Sequence, residues 1–182
     1  MMLSVDPLLR LVAAGLIIAV LARAAIEKAH GYGIYVAIVR DYRLLPAPIV
    51  PSAAAALLVA EVLAIVLMLI PTVAAVGAML SAALFALYGA AMAAALFAGR
   101  TEIECGCGGD GQIVTWALVA RNAVLVAIAA FTLLPITGRV MACSDIVMGL
   151  LAIFLAYLLL AIVEKTIGTS VAIRRLNSGS NS

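Results

Sequence analysis

Five runs of about 20 mostly apolar residues divide this chain, and they limit it more than any motif does. A helix rising 1.5 Å per residue needs about that length to cross a hydrocarbon core of about 30 Å. With 67% hydrophobic and only 11% charged residues among 182, the sequence has too little polar surface to cover a water-soluble domain. Aromatics are sparse at 5% and no stretch alternates with period two, which argues against a membrane β-barrel. The expected fold is therefore all-α: a polytopic membrane helical bundle with a four-helix core and a fifth, C-terminal transmembrane helix. A net charge of +2, scattered over the ends of the runs, gives no basis for nucleic-acid binding, and there is no internal repeat.

The spacing places helices over residues 7–29, 52–70, 73–98, 114–134 and 146–167, with residues 171–182 as a disordered polar tail of a single bundle. Pro7 suits a first helical turn because it has no N–H to satisfy. Ala22-Arg23-Ala24 imitates a signal-peptidase site, but the residues before it lack the basic bias of such signals, so the first run is read as a retained helix. Residues 30–51 contain Tyr32, Tyr35 and Tyr42, then Arg43 and three prolines, the pattern of a short helix at the membrane surface ended by a proline turn. The single histidine, His30, reads as an interfacial residue.

Ionisable residues inside such runs are costly, about 2.5 to 3.5 kcal/mol each at a helix centre, and are expected to face other helices. Glu61, in the middle of the second run, requires a partner. Arg121, two turns into the fourth run and followed by Asn122, is the first choice, with Lys28 at the end of the first helix as the second; Tyr88 is a polar mark of the third run. Arg23 and Glu27, four apart on one face, form a possible pair of their own. Lys28 reads either as a partner for another helix or as a side chain that snorkels to the interface.

A short polar break between the third and fourth runs, residues 101–111, holds Cys105-Gly106-Cys107-Gly108-Gly109. Each crossing changes sides, so this break and the end of the first helix share one face, and Glu61 and Arg121 lie about 10 to 15 Å beneath it. Cys143 falls on the opposite face and cannot pair with Cys105 or Cys107 in one molecule. Two cysteines one glycine apart can close a strained, readily exchanged disulfide, which suits a carrier of disulfides. The same residues also suit a plain glycine-rich turn, and a metal site would need more ligands than two thiols and His30 supply.

The ordered set Glu27-Lys28, Tyr42-Arg43-Leu44-Leu45-Pro46, Glu61, Cys105-Gly106-Cys107-Gly108-Gly109 and Arg121-Asn122 resembles the MauE-like methylamine utilisation proteins, within a broader DoxX-like group. The likeness spans residues 10–135 and departs at Gly108, where members commonly carry a bulky aromatic. It implies a protein of the bacterial inner membrane that supports maturation of the methylamine dehydrogenase small subunit, an exported, disulfide-rich client. It also implies a thioredoxin-like periplasmic partner and Cys105 and Cys107 as catalytic residues. A cysteine pair before the fourth helix is also similar in architecture to the vitamin K epoxide reductases, from which quinone use is the implied cofactor chemistry. Basic residues, however, are more numerous on the cysteine face (Lys28, Arg40, Arg43, Arg100 and, after a fifth crossing, Lys165, Arg174 and Arg175) than opposite (Arg10, Arg139). The positive-inside rule thus places the cysteines in the cytoplasm, against the resemblance. Three functions follow from these residues: thiol-disulfide exchange, non-catalytic anchoring of a redox complex, and, with least support, small-molecule transport, for which no inverted halves are visible.

Overall fold

The structure is a computed structural model and describes residues 5–100 and 114–179. Its elements are α1 (Pro7–His30), α2 (Tyr32–Asp41), α3 (Val50–Leu69), α4 (Ala74–Phe97), α5 (Trp116–Phe131) and α6 (Cys143–Gly179). The protein is an all-helical, multi-pass membrane protein, and among the described residues four helices (α1, α3, α4 and residues 143–166 of α6) are long and apolar enough to cross a bilayer.

Local chemistry sets the helix ends. Asp6 caps α1 by accepting from the Leu8 N–H at 2.8 Å, and Pro7 fills the first turn. Arg43, at φ 49°, takes the chain out of α2 through the left-handed region, and the prolines at 46 and 48 keep it non-helical until α3.

Two boundaries differ from those read from the sequence. The fourth apolar run is helical for only 16 residues, because Thr115 is extended and the chain turns at Thr132, so the helix spans about 24 Å. The last helix extends past residue 167 to Gly179, through the stretch expected to be a disordered tail. Despite Gly168, its sequence there has no proline, the residue that would break the helix outright, and residues 171–176 are Val, Ala, Ile, Arg, Arg and Leu.

Helices α1, α3, α4 and α5 form the core, and α6 lies against α1. Ile17, Val20 and Leu21 of α1 meet Ala64 of α3, Leu84 and Phe85 of α4 and Leu125 and Ala129 of α5 at the centre. Small residues allow close approach: a Cβ at Gly77 of α4 would stand 2.6 Å from the Met68 backbone nitrogen of α3. The outer row of α6, including Val147, Leu151, Phe154 and Leu155, is exposed, as a face toward lipid would be.

The two ends of the bundle are distinct. At one, Val5 N–H donates to the Pro135 carbonyl at 2.8 Å, and Arg139 bridges Asp6 (2.9 Å) and Asp145 (2.6 Å). Cys143 is an exposed free thiol at this end. At the other, Arg100 donates to the Tyr42 carbonyl at 2.6 Å, and Val114 and Leu118 pack with Tyr42, Met92 and Ala95. The chain therefore leaves α4 and re-enters α5 beside α2, at the end opposite Cys143.

Candidate functional site

Lys28 is carried by the last turn of α1, Glu61 by the middle of α3 and Tyr88 by α4, and the three side chains meet inside the bundle. Glu61 is 0% exposed and Lys28 4%, and they form an ion pair through Nζ and Oε1. The Tyr88 hydroxyl donates to the same Oε1 at 2.7 Å and accepts from Lys28 Nζ at 3.2 Å. Lys28 Nζ also lies 4.5 Å from the Tyr88 ring centroid and 5.1 Å from that of Tyr35. Burial of two charges is tolerated because they neutralise each other and share a hydroxyl. Among the described residues Glu61 Oε2 has no hydrogen-bond partner.

Arg121, expected first as the partner of Glu61, turns to a different helix. It donates from Nη1 to Glu164 Oε1 of α6 at 2.5 Å, while Arg23 Nη1 reaches Oε2 of the same carboxylate at 3.3 Å and Arg23 Nε pairs with Glu27 at 2.8 Å. The cause is rotational: the face of α5 that carries Arg121 looks across α1 to α6, and the face that carries Asn122 looks to α4. Asn122 is 1% exposed, donates to the Leu118 carbonyl at 2.9 Å and packs against α4 at Gly89. Both networks carry equal numbers of cations and anions.

Glu164 is the site residue the sequence did not reveal. It lies beside Lys165 near the end of the last apolar run, where charges ordinarily mark the interface. The available signal was depth: Arg23, Arg121 and Glu164 all lie within a few turns of the same end of the bundle.

Beside the Lys28 network, beneath α2, lies a largely apolar cavity of about 200 Å³ to which Tyr35, Tyr42 and Tyr88 contribute walls. Tyr88 belongs to both the cavity and the ionic network. His30 stands outside the site, exposed, with Nδ1 2.9 Å from the Ile26 carbonyl. Among the described residues no group of three His, Cys, Asp or Glu side chains could hold a metal. Cys105 and Cys107 lie outside the described residues; their described flanks, Arg100 and Val114, are at the end of the bundle nearest the Lys28 network.

The family model for methylamine utilisation protein MauE matches residues 6–135, which include Lys28, Glu61, Tyr88, Arg121 and the Cys-Gly-Cys segment. The chain belongs to the MauE family. It is 39% identical over 159 residues to the methylamine utilization protein MauE of Paracoccus versutus, covering 84% of this chain and 85% of that protein. It is 35% identical over 135 residues to the MauE protein of Methylorubrum extorquens, covering 73% and 72%. The Paracoccus denitrificans MauE protein is 37% identical over 108 residues, or 58% of each chain. No solved structure shows significant similarity. The family match ends before α6, so Glu164, the anion that holds Arg121, lies outside the matched region.

Proposed function

We propose that this MauE-family protein acts in the bacterial inner membrane as a thiol-disulfide component for maturation of an exported redox enzyme. The methylamine dehydrogenase small subunit or a similar client is the substrate, and a thioredoxin-like periplasmic protein is the partner. Cys105 and Cys107 carry the exchange. In their disulfide form they accept a thiolate from a reduced client, pass through a mixed disulfide and leave a client disulfide and two thiols. Regeneration removes two electrons and two protons, by exchange with the partner or by transfer to a membrane quinone.

The observation that carries this reading is the arrangement around the cysteine segment. Its described flanks are tied to α2 by the Arg100 bond to Tyr42 and by the packing of Val114, directly above a buried, neutralised Lys28–Glu61 pair and an apolar cavity. Ion pairs tie together the helices that flank this segment, a scaffold suited to repeated exchange with a docking partner. Lys28 is buried in its pair, so it drops out of the surface charge on the cysteine face, and this weakens the count that favours a cytoplasmic location.

A second reading, a non-catalytic anchor for a redox complex, draws on the exposed apolar row of α6, a surface suited to another membrane helix as well as to lipid. One experiment separates the two: a Cys105→Ser/Cys107→Ser variant assayed for active client in cells. Loss of at least tenfold of client activity, with normal amounts of the variant in the membrane, is expected from exchange. Full client activity assigns the protein to anchoring.

A further inference from the structure

The cavity beneath α2 is walled almost wholly by hydrocarbon, including Val39 of α2, Leu57 of α3 and Leu87 and Ala91 of α4. The Tyr88 hydroxyl at its inner end is already bonded to Lys28 and Glu61, so what enters must be apolar. The cavity measures about 200 Å³. About 150 Å³ is enough to hold benzene, so this space takes roughly eight carbons of a chain. Leu57 is seven residues from the start of α3 and Ala91 six from the end of α4, which sets the cavity about 10 Å below this end of the bundle. That is just beneath the headgroup layer of a bilayer, where lipid chains begin. Leu87, on a membrane-spanning helix, is 51% exposed, and Leu44 and Leu45 at the rim are 51% and 42% exposed, so the opening faces sideways into lipid.

The rim adds charge to this apolar space. Arg40 follows Val39 near the end of α2, and Arg43 stands between Tyr42 and Leu44; all three of these neighbours line the cavity. The Arg43 N–H donates to the Arg40 carbonyl at 2.9 Å, so both arginines belong to one turn. Both are exposed, and among the described residues neither belongs to an ion pair. Asp41 is the only acid between them, which leaves the turn cationic. Arg43 also holds φ 49°, so the turn places a long cation where the backbone alone favours glycine or asparagine. Other cations at this end are engaged: Lys28 is paired with Glu61, and Arg100 donates to the Tyr42 carbonyl.

We infer that this site binds an anionic phospholipid of the surrounding bilayer, with one acyl chain in the cavity and the phosphate at Arg40 and Arg43. The occupant must use both halves of the site. A neutral chain or ring fills the cavity and leaves the arginines unengaged, and a soluble anion meets the arginines and leaves the cavity empty. A guanidinium matches a phosphate with two parallel N–H donors, and a headgroup with net negative charge suits a turn of two cations and one acid. The chain occupies the space that α2, α3 and α4 enclose, so the lipid supports the surface to which Arg100 is tied. No residue of the cysteine segment belongs to the site, so its binding is independent of Cys105 and Cys107.

The test is native mass spectrometry of the full chain, purified in detergent, stripped of lipid and titrated with three lipids of identical acyl chains: phosphatidylglycerol, phosphatidylcholine and diacylglycerol. Phosphatidylglycerol should bind about fivefold more tightly than phosphatidylcholine and at least tenfold more tightly than diacylglycerol. The exposed double variant Arg40→Gln/Arg43→Gln should bring phosphatidylglycerol to within about twofold of diacylglycerol. Ala91→Trp, or Leu87→Trp at the rim should the first variant fold poorly, should weaken phosphatidylglycerol at least tenfold while helical content stays the same. Cys105→Ser/Cys107→Ser should bind as the parent does whatever its effect on the client, which keeps this test separate from that of the thiol chemistry. Equal affinity for diacylglycerol and phosphatidylglycerol would make the site an apolar groove with no headgroup contact and overturn the inference. Undiminished phosphatidylglycerol binding by a folded cavity-filling variant would reduce it to surface charge and overturn it as well. So would the absence of saturable binding, or a lipid-free dimer, which would assign the face to a second copy of the chain.

Discussion

The Lys28–Glu61–Tyr88 network joins α1, α3 and α4 inside the core, whereas Arg23 and Arg121 hold Glu164 at the seam where α6 lies against α1. The chemistry is similar and the surroundings are not. In the first, both charged side chains are almost wholly removed from surrounding solvent, at 3% and 0% exposure; in the second, Arg23 is 30% exposed and shares its charge between two carboxylates. The first network also touches a cavity through Tyr88, while the second borders only a gap of about 10 Å³, room for no more than one water molecule. Charge within this membrane bundle thus serves two ends: a closed pair at the centre of the core, and a clamp that attaches a peripheral helix.

Breaking the closed pair should have the largest effect. Lys28→Met or Glu61→Leu alone strands a buried charge and should cost about 3 to 5 kcal/mol, read by denaturant titration in micelles. The double variant should recover most of that loss, and a double variant as unstable as the worse single one would show that the two charges act separately. Glu164→Leu should cost less, about 2 to 3 kcal/mol, because Arg23 can turn to solvent and keeps Glu27. Its damage should also be confined: hydrogen exchange should accelerate in α6 and leave α3 and α4 protected, whereas Glu61→Leu should loosen the entire core. Tyr88→Phe removes one hydrogen bond to a carboxylate and leaves the ion pair, for about 1.5 kcal/mol by the same titration. Arg139→Ala, at an exposed cluster with Asp6 and Asp145, should be the mildest change and leave the melting temperature within error, which marks that end of the bundle as a surface clasp.

The length and placement of the apolar runs were enough to put α1, α3, α4 and the start of α6 in the right places, because span length in a bilayer is set by simple geometry. The short helix α2 was likewise legible in its tyrosines and the prolines that follow. Helix rotation was not legible. In α3 and α4, alanine, leucine and valine occur on every side, so no apolar stripe points to a core, and the choice of Lys28 over Arg121 as the partner of Glu61 depended on which way each helix turned. Tyr88 stands out in the sequence as a polar mark, but its link to Glu61 does not. Glu164 was hidden for another reason: an acid next to Lys165 at the end of a run looks like an interfacial charge until α6 is seen against α1.

The central claim is that Cys105 and Cys107 face the outside of the cell as an oxidised, exchangeable pair. It is tested most directly with a membrane-impermeant thiol reagent on intact cells carrying a Cys143→Ser variant, with and without prior reduction. The account predicts labelling from outside only after reduction. Labelling only after lysis, whether or not reductant is added, would place reduced cysteines in the cytoplasm, contradict the exchange mechanism and leave the anchoring function in its place.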